Sequence, residues 1–160
     1  MSQRAKDLSH RIKSFCDEVI TFVEHLSDED WSKTSPWEQW PVGVAARHLG
    51  AGHFAIFKAA GMIIRGEQLP QMTMEQVNAA SDQDARAHMD CTKAEALDHL
   101  RKNSAETVAF VAGLSDAQLD SKASMPAFGG EVTAEQFLDY VLLQSGRQHL
   151  DSMQKAVAGV

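Results

Sequence analysis

Apolar residues recur along this chain at the period of an α-helix. Ala5, Leu8, Ile12, Phe15, Val19, Phe22 and Leu26 are spaced alternately three and four apart, which draws one stripe down about six helical turns. Lys6, Asp7, Arg11, Lys13, Asp17 and Glu24 fill the positions between. Leu97, Leu100, Ser104, Thr107, Val111 and Leu114 repeat the pattern, with two hydroxyls in place of aliphatics. A third face runs through Leu138, Val141, Leu142, Ser145, His149 and Met153. Such one-sided helices bury their stripes against each other in a bundle.

Helix starts are marked by capping boxes, in which a Ser or Thr hydroxyl takes a backbone N–H and a side chain three positions on reaches back. Thr73 with Gln76, Thr92 with Glu95, Ser115 with Gln118 and Thr133 with Gln136 fit, and Ser27 with Asp30 is a weaker relative. Pro41 suits a first helical position, where its missing N–H costs nothing. The pattern predicts helices over 3–26, 42–65, 74–89, 93–114 and 134–157. The intervals 27–40, with Pro36 and three tryptophans, and 119–132, with Pro126 and Gly129-Gly130, read as loops. Strand-like alternation is confined to a few residues around Phe128 to Val132. The expected fold is an all-α, four-helix bundle with an additional short helix and long connecting loops, one domain over residues 1–160.

Composition narrows the function without naming it. At 160 residues, 44% hydrophobic and 23% charged, the chain has the makeup of a soluble globular domain. Its net charge of -7 and lack of a Lys/Arg run argue against nucleic-acid binding. No apolar window is long enough for a membrane span, and the N-terminus lacks the apolar core of a secretory signal. Cys16 and Cys91 form neither a disulfide framework nor a CxxC motif, so a cytoplasmic setting is expected.

The chemistry sits where ionisable groups fall on apolar faces. His48, flanked by Val44, Ala45, Leu49, Ala51 and Ala55, points inward, and Ser145 and His149 stack inward on the last helix. Two inward imidazoles on facing helices offer nitrogens suited to a divalent ion such as zinc or nickel. A hydrogen-bonded core pair without metal is the other reading of the same pattern. His53, about 140° around a continuous helix from His48, is expected at the rim and not at the same ion. His10, His25, His88 and His99 read as solvated surface. Trp31, Trp37 and Trp40 are expected to staple the first long loop over the bundle end, and Cys91 reads as a loop cysteine just before the Thr92 cap.

Trp40 followed by an apolar helix with His48-Leu49, then Gly129-Gly130, Val132-Thr133 and a helix bearing Gln148-His149-Leu150, resembles the DinB-like superfamily, including the YfiT-like and mycothiol-dependent maleylpyruvate isomerase groups. Asn78 and the Leu114-Ser115-Asp116 turn add to the likeness, which spans residues 5–157. The resemblance implies a four-helix bundle, commonly homodimeric, with a divalent metal held by one His of the second helix and an i, i+4 pair of the last. Residue by residue, the ligand positions fall on His48, Ser145 and His149. Ser145 is the departure, since a neutral hydroxyl is a poor ligand for such ions. The implied chemistry is that of a metal-dependent thiol transferase or isomerase acting on a small molecule, in which the ion presents a low-molecular-weight thiol as thiolate. Without a metal, the same chain is a non-catalytic bundle binding a small apolar ligand or a protein partner.

Overall fold

The fold follows the stripes. In the computed structural model, which describes residues 2–160, the first helix α1 covers Gln3–Glu24. Ala5, Leu8, Ile12, Phe15 and Val19 are all buried on one side of it, with Phe22 half-covered and Leu26 buried just beyond its end. A short helix α2 (Asp28–Trp31) lies in the first connecting segment. Then come α3 (Val42–Ala51), α4 (Phe57–Ile64), α5 (Met74–Ala87), α6 (Lys93–Ala112) and α7 (Asp116–Leu119). A hairpin of β1 (Lys122–Met125) and β2 (Gly130–Thr133) follows, and α8 (Ala134–Leu138) and α9 (Gly146–Ala158) close the chain. Helix α1 packs on α6, α6 on α3 and α3 on α9, while the segment between α8 and α9 returns to α1. These four contacts close a four-helix bundle around one apolar core. Among the described residues, no helix is long and apolar enough to cross a membrane.

All five capping boxes form with both reciprocal hydrogen bonds, at Ser27, Thr73, Thr92, Ser115 and Thr133. Each satisfies two backbone N–H groups that the first turn leaves without partners. Pro41 stands one place earlier than expected, at the N-cap of α3, where its carbonyl accepts the N–H groups of Val44 and Ala45.

Three departures from the sequence pattern matter for the site. The predicted helix over 42–65 is broken: α3 ends at Ala51, and a 3₁₀ turn over His53–Ala55 precedes α4. Gly52 sits at the break, where the backbone suits a glycine: a Cβ there would stand 2.9 Å from the carbonyl oxygen of His48. Thr107, one of the two hydroxyls on the α6 stripe, donates to the Phe54 carbonyl inside that turn, so a polar residue on an apolar face is accounted for by a backbone group left free nearby. The last helix carries a π-helical segment over Asp139–Ser145. Its wider turn lets the Gly146 N–H reach back five residues to the Val141 carbonyl. Finally, part of 119–132 is a hairpin and not a loop, with Lys122 opposite Thr133 and Met125 opposite Gly130. Its tip is tied to the segment before α5 by the Ala127 N–H on the Met72 carbonyl.

Close packing of α3 on α6 depends on Gly50. A Cβ at that position would lie 2.9 Å from the backbone nitrogen of Leu100, and Asn103 donates to the Gly50 carbonyl at 2.8 Å. The α3 residues that bear the site are thereby held against the bundle.

Candidate metal centre

Three imidazoles converge at one end of the bundle. His48 comes from the last turns of α3, His53 from the turn after it and His149 from α9. One ring nitrogen from each lies within 4.8 Å of the others. The Nε2 atoms of His48 and His53 are 3.1 Å apart, and the ring centroid of His149 is 4.9 Å from both. The expectation that His53 sits on the rim, unable to share an ion with His48, is corrected. It assumed a continuous helix; the Gly52 break and the tighter 3₁₀ turn swing His53 back onto the His48 side. The pair of glycines at 50 and 52 just ahead of His53 was the available signal. Ser145, the remaining position implied by the family pattern, ends the π segment and lines the same cavity.

The outer partners of two rings are fixed. His53 Nδ1 lies 2.7 Å from the Val141 carbonyl oxygen, an acceptor only, so Nδ1 carries the proton and Nε2 presents its lone pair. The π turn is what aims that carbonyl, which also takes the Gly146 N–H. His149 Nδ1 lies 2.5 Å from Glu38 Oε2, with both side chains almost fully buried. Again the proton faces the outer partner and Nε2 faces inward. The Ser152 hydroxyl donates to the other Glu38 oxygen and accepts the Trp37 N–H at 3.0 Å. Sequence reasoning did not find Glu38; it lies in the first connecting segment, 111 positions from His149, and no periodicity marks it.

Aromatic rings wall the cluster. Trp40 meets His48 edge-on at 5.0 Å and stacks near-parallel to His149 at 6.0 Å. Its indole N–H is spent on Asp82 at 3.0 Å. The Trp37 ring lies 4.9 Å from His149 while more than half of the residue is exposed. So Trp37 and Trp40 belong to the site as well as holding down the loop, whereas Trp31 stands apart from it, its ring packed on Gly43 of α3 and its indole N–H on the Cys91 carbonyl. Cys91 is buried, and burial pushes its thiol above the ordinary range.

Electrostatics keep two of the three rings, His48 and His53, neutral. Burial first, then the neighbouring His53, His149 and Arg47, push His48 down to about 2. Burial and His149 push His53 down to about 4, against the opposing pull of the Val141 carbonyl. Both are therefore unprotonated at neutral pH, as a metal ligand must be.

The donor set fits a divalent ion. Two ring nitrogens facing each other at 3.1 Å stand close to the separation of about 3.3 Å that two nitrogens keep on a tetrahedral ion bonded at about 2.0–2.1 Å. A carboxylate and a backbone carbonyl behind two of the rings are the usual outer partners of metal-bound histidines. In front of the rings a cavity of about 780 Å³ opens, with Ser145, Asn78 and Gln148 on its wall.

A model of the DinB superfamily matches residues 12–150. The chain belongs to the DinB superfamily. Among solved structures, this DinB chain is similar to YfiT from Bacillus subtilis, described as a probable metal-dependent hydrolase with an unusual four-helix bundle topology. The TM-score is 0.76 and the identity 18%, over 99% of this chain and 89% of YfiT, a likeness that shows the shared fold. Among curated proteins, none matches the sequence.

Proposed function

We propose that this chain is a metal-dependent hydrolase whose ion, zinc or nickel, is held by His48, His53 and His149. The observation that carries the reading is the convergence of three imidazoles, two of them with Nδ1 tied to an outer acceptor so that Nε2 faces the others. A divalent ion on three neutral ligands supplies Lewis acidity and lowers the pKa of a nucleophile in its open position.

The chain's own residues do the rest. Glu38 holds the tautomer and angle of His149, and Ser152 holds Glu38. The Val141 carbonyl does the same for His53. Trp40 covers the rings from one side and excludes water there. Glu38 already accepts from His149 and Ser152, and Asp82 from Trp40 and Arg86. Both wall carboxylates are thereby held in fixed orientations by partners on each oxygen. YfiT's description as a probable metal-dependent hydrolase agrees with this reading. The transferase or isomerase chemistry suggested by the family resemblance differs in the nucleophile, a low-molecular-weight thiol in place of water, and product screens with and without added thiol separate the two.

A second reading has its own observation. A separation of 3.1 Å between the His48 and His53 nitrogens also suits an N–H···N hydrogen bond, with His48 donating. The cluster would then be a satisfied polar floor beneath a metal-free binding cavity. Titration with zinc and nickel, followed by calorimetry on protein purified without a metal-affinity tag, decides between them. One ion per chain, lost in His53→Ala and retained in Ser145→Ala, supports the metal centre. Absence of binding leaves the second reading.

A further inference from the structure

The wall of the cavity sets the charge of what enters it. Apolar residues make most of the lining, Ile56, Leu69, Met72, Val77, Phe128 and Phe137 among them, and the volume of about 780 Å³ lies in the range of sites that enclose drug-sized molecules. The formal charges on the wall are of one sign: Glu38 and Asp82 line it, and among the described residues no lysine or arginine does. Arg86 meets Asp82 with its own side chain largely in solvent. Asn78, Ser81, Tyr140 and Gln148 offer neutral hydrogen-bonding groups.

A substrate carboxylate or phosphate remote from the imidazoles would be desolvated against this wall with no cation to pair with, which is strongly unfavourable. The charge of an ion on three neutral rings would be offset in part by the buried Glu38 behind His149 and taken up by the reacting group at its open position, while Asp82 is already paired with Arg86. Neither leaves a cation for a second anionic group on the part of the substrate that fills the cavity. An apolar body with one or two neutral polar atoms meets no such penalty. We infer that the cavity selects uncharged, largely apolar substrates, such as neutral esters or amides, and rejects molecules carrying an anionic group on the part that fills it. The inference rests on the imidazole cluster being the reaction centre, and it adds the substrate class.

The test compares two fluorescent probes with one aryl body, neutral N-phenyl-1-naphthylamine and anionic 1-anilinonaphthalene-8-sulfonate, titrated against the full chain after chelator treatment and again with one equivalent of zinc. The neutral probe is expected to bind at least about tenfold more tightly than the sulfonate in the metal-free protein. A neutral aryl ester is expected to displace it where the matching carboxylate does not. Val77→Lys, on the cavity wall, and Asn78→Lys, at an exposed position that leaves the fold undisturbed, should each cut the gap to about threefold or less. Equal or tighter binding of the sulfonate to wild type overturns the inference. So does an unchanged gap in both variants, which places the probes elsewhere, and so does failure of both probes to bind at about 100 µM. Zinc uptake is read separately: a neutral preference without zinc binding supports the selectivity while removing the metal-enzyme reading, and zinc binding without the preference does the reverse.

Discussion

Replacing Glu38 with glutamine removes a charge from behind His149 and keeps the shape of the side chain. The Glu38 and His149 side chains are 4% and 7% exposed, and their hydrogen bond is 2.5 Å long, so water does little to screen it. A charge-assisted bond in such a place contributes about 1.5–3 kcal/mol. Outer partners of metal-bound histidines typically set about 10–100-fold of the affinity, which is about 1.4–2.7 kcal/mol, so the two scales agree. The glutamine carbonyl can still accept from His149 Nδ1, and its amide can donate to the Ser152 oxygen, which already takes the Trp37 N–H. Glu38→Gln should therefore bind zinc about 10–100-fold more weakly while its unfolding free energy falls by no more than the charge-assisted bond contributes, about 1.5–3 kcal/mol. Competition against a chromophoric chelator reads the first quantity and urea denaturation of the metal-free protein reads the second. Zinc affinity within about twofold of wild type, with the fold intact, would refute the assignment of Glu38 as the positioning residue for His149.

Further expectations follow from the same geometry. His53→Ala should abolish stoichiometric zinc binding and Ser145→Ala should leave it within about threefold, both by calorimetry; the opposite ranking would return the third place to Ser145. Stability of the metal-free protein should fall as pH drops, because His48 and His53 are held neutral in the fold while the unfolded chain protonates them near 6.5. The stabilisation is complete above pH 6.5 and declines as pH falls toward about 4 for His53 and about 2 for His48, with His53 alone worth on the order of 3 kcal/mol over its window. Urea denaturation at intervals from pH 7.5 to 4.5 measures this, His53→Gln should flatten the slope, and a pH-independent midpoint down to pH 5 would contradict it. Gly50→Ala should cost about 1–3 kcal/mol in thermal or urea unfolding, because its Cβ would press on the Leu100 backbone at the α3–α6 contact; a neutral result would mean that the two helices separate freely.

The sequence is most informative where structure is local. A capping box lies within four residues, and all five form as read. The Ala5 to Val19 stripe is buried because helical period alone decides which side faces inward. The inward placement of His149 follows from the same period, and burial confirms it. What sequence reasoning missed depends on interruptions to that period. The break at Gly52 changes the direction of His53, and one π segment aims the Val141 carbonyl at it. Glu38 was illegible for a different reason: its contact with His149 joins a loop to a helix across most of the chain, and nothing in the local sequence records such a pairing. The hairpin escaped because strands of four residues hold too little alternation to separate from a loop.

The central claim is that one ion is shared by His48, His53 and His149, and X-ray absorption at the zinc edge of protein reconstituted with one equivalent tests it most directly. Three imidazole nitrogens at about 2.0–2.1 Å with one further light atom are the predicted shell, reduced by one imidazole in His53→Ala if that variant is loaded at high zinc. A wild-type shell of two imidazoles, or a spectrum unchanged by His53→Ala, would contradict the account.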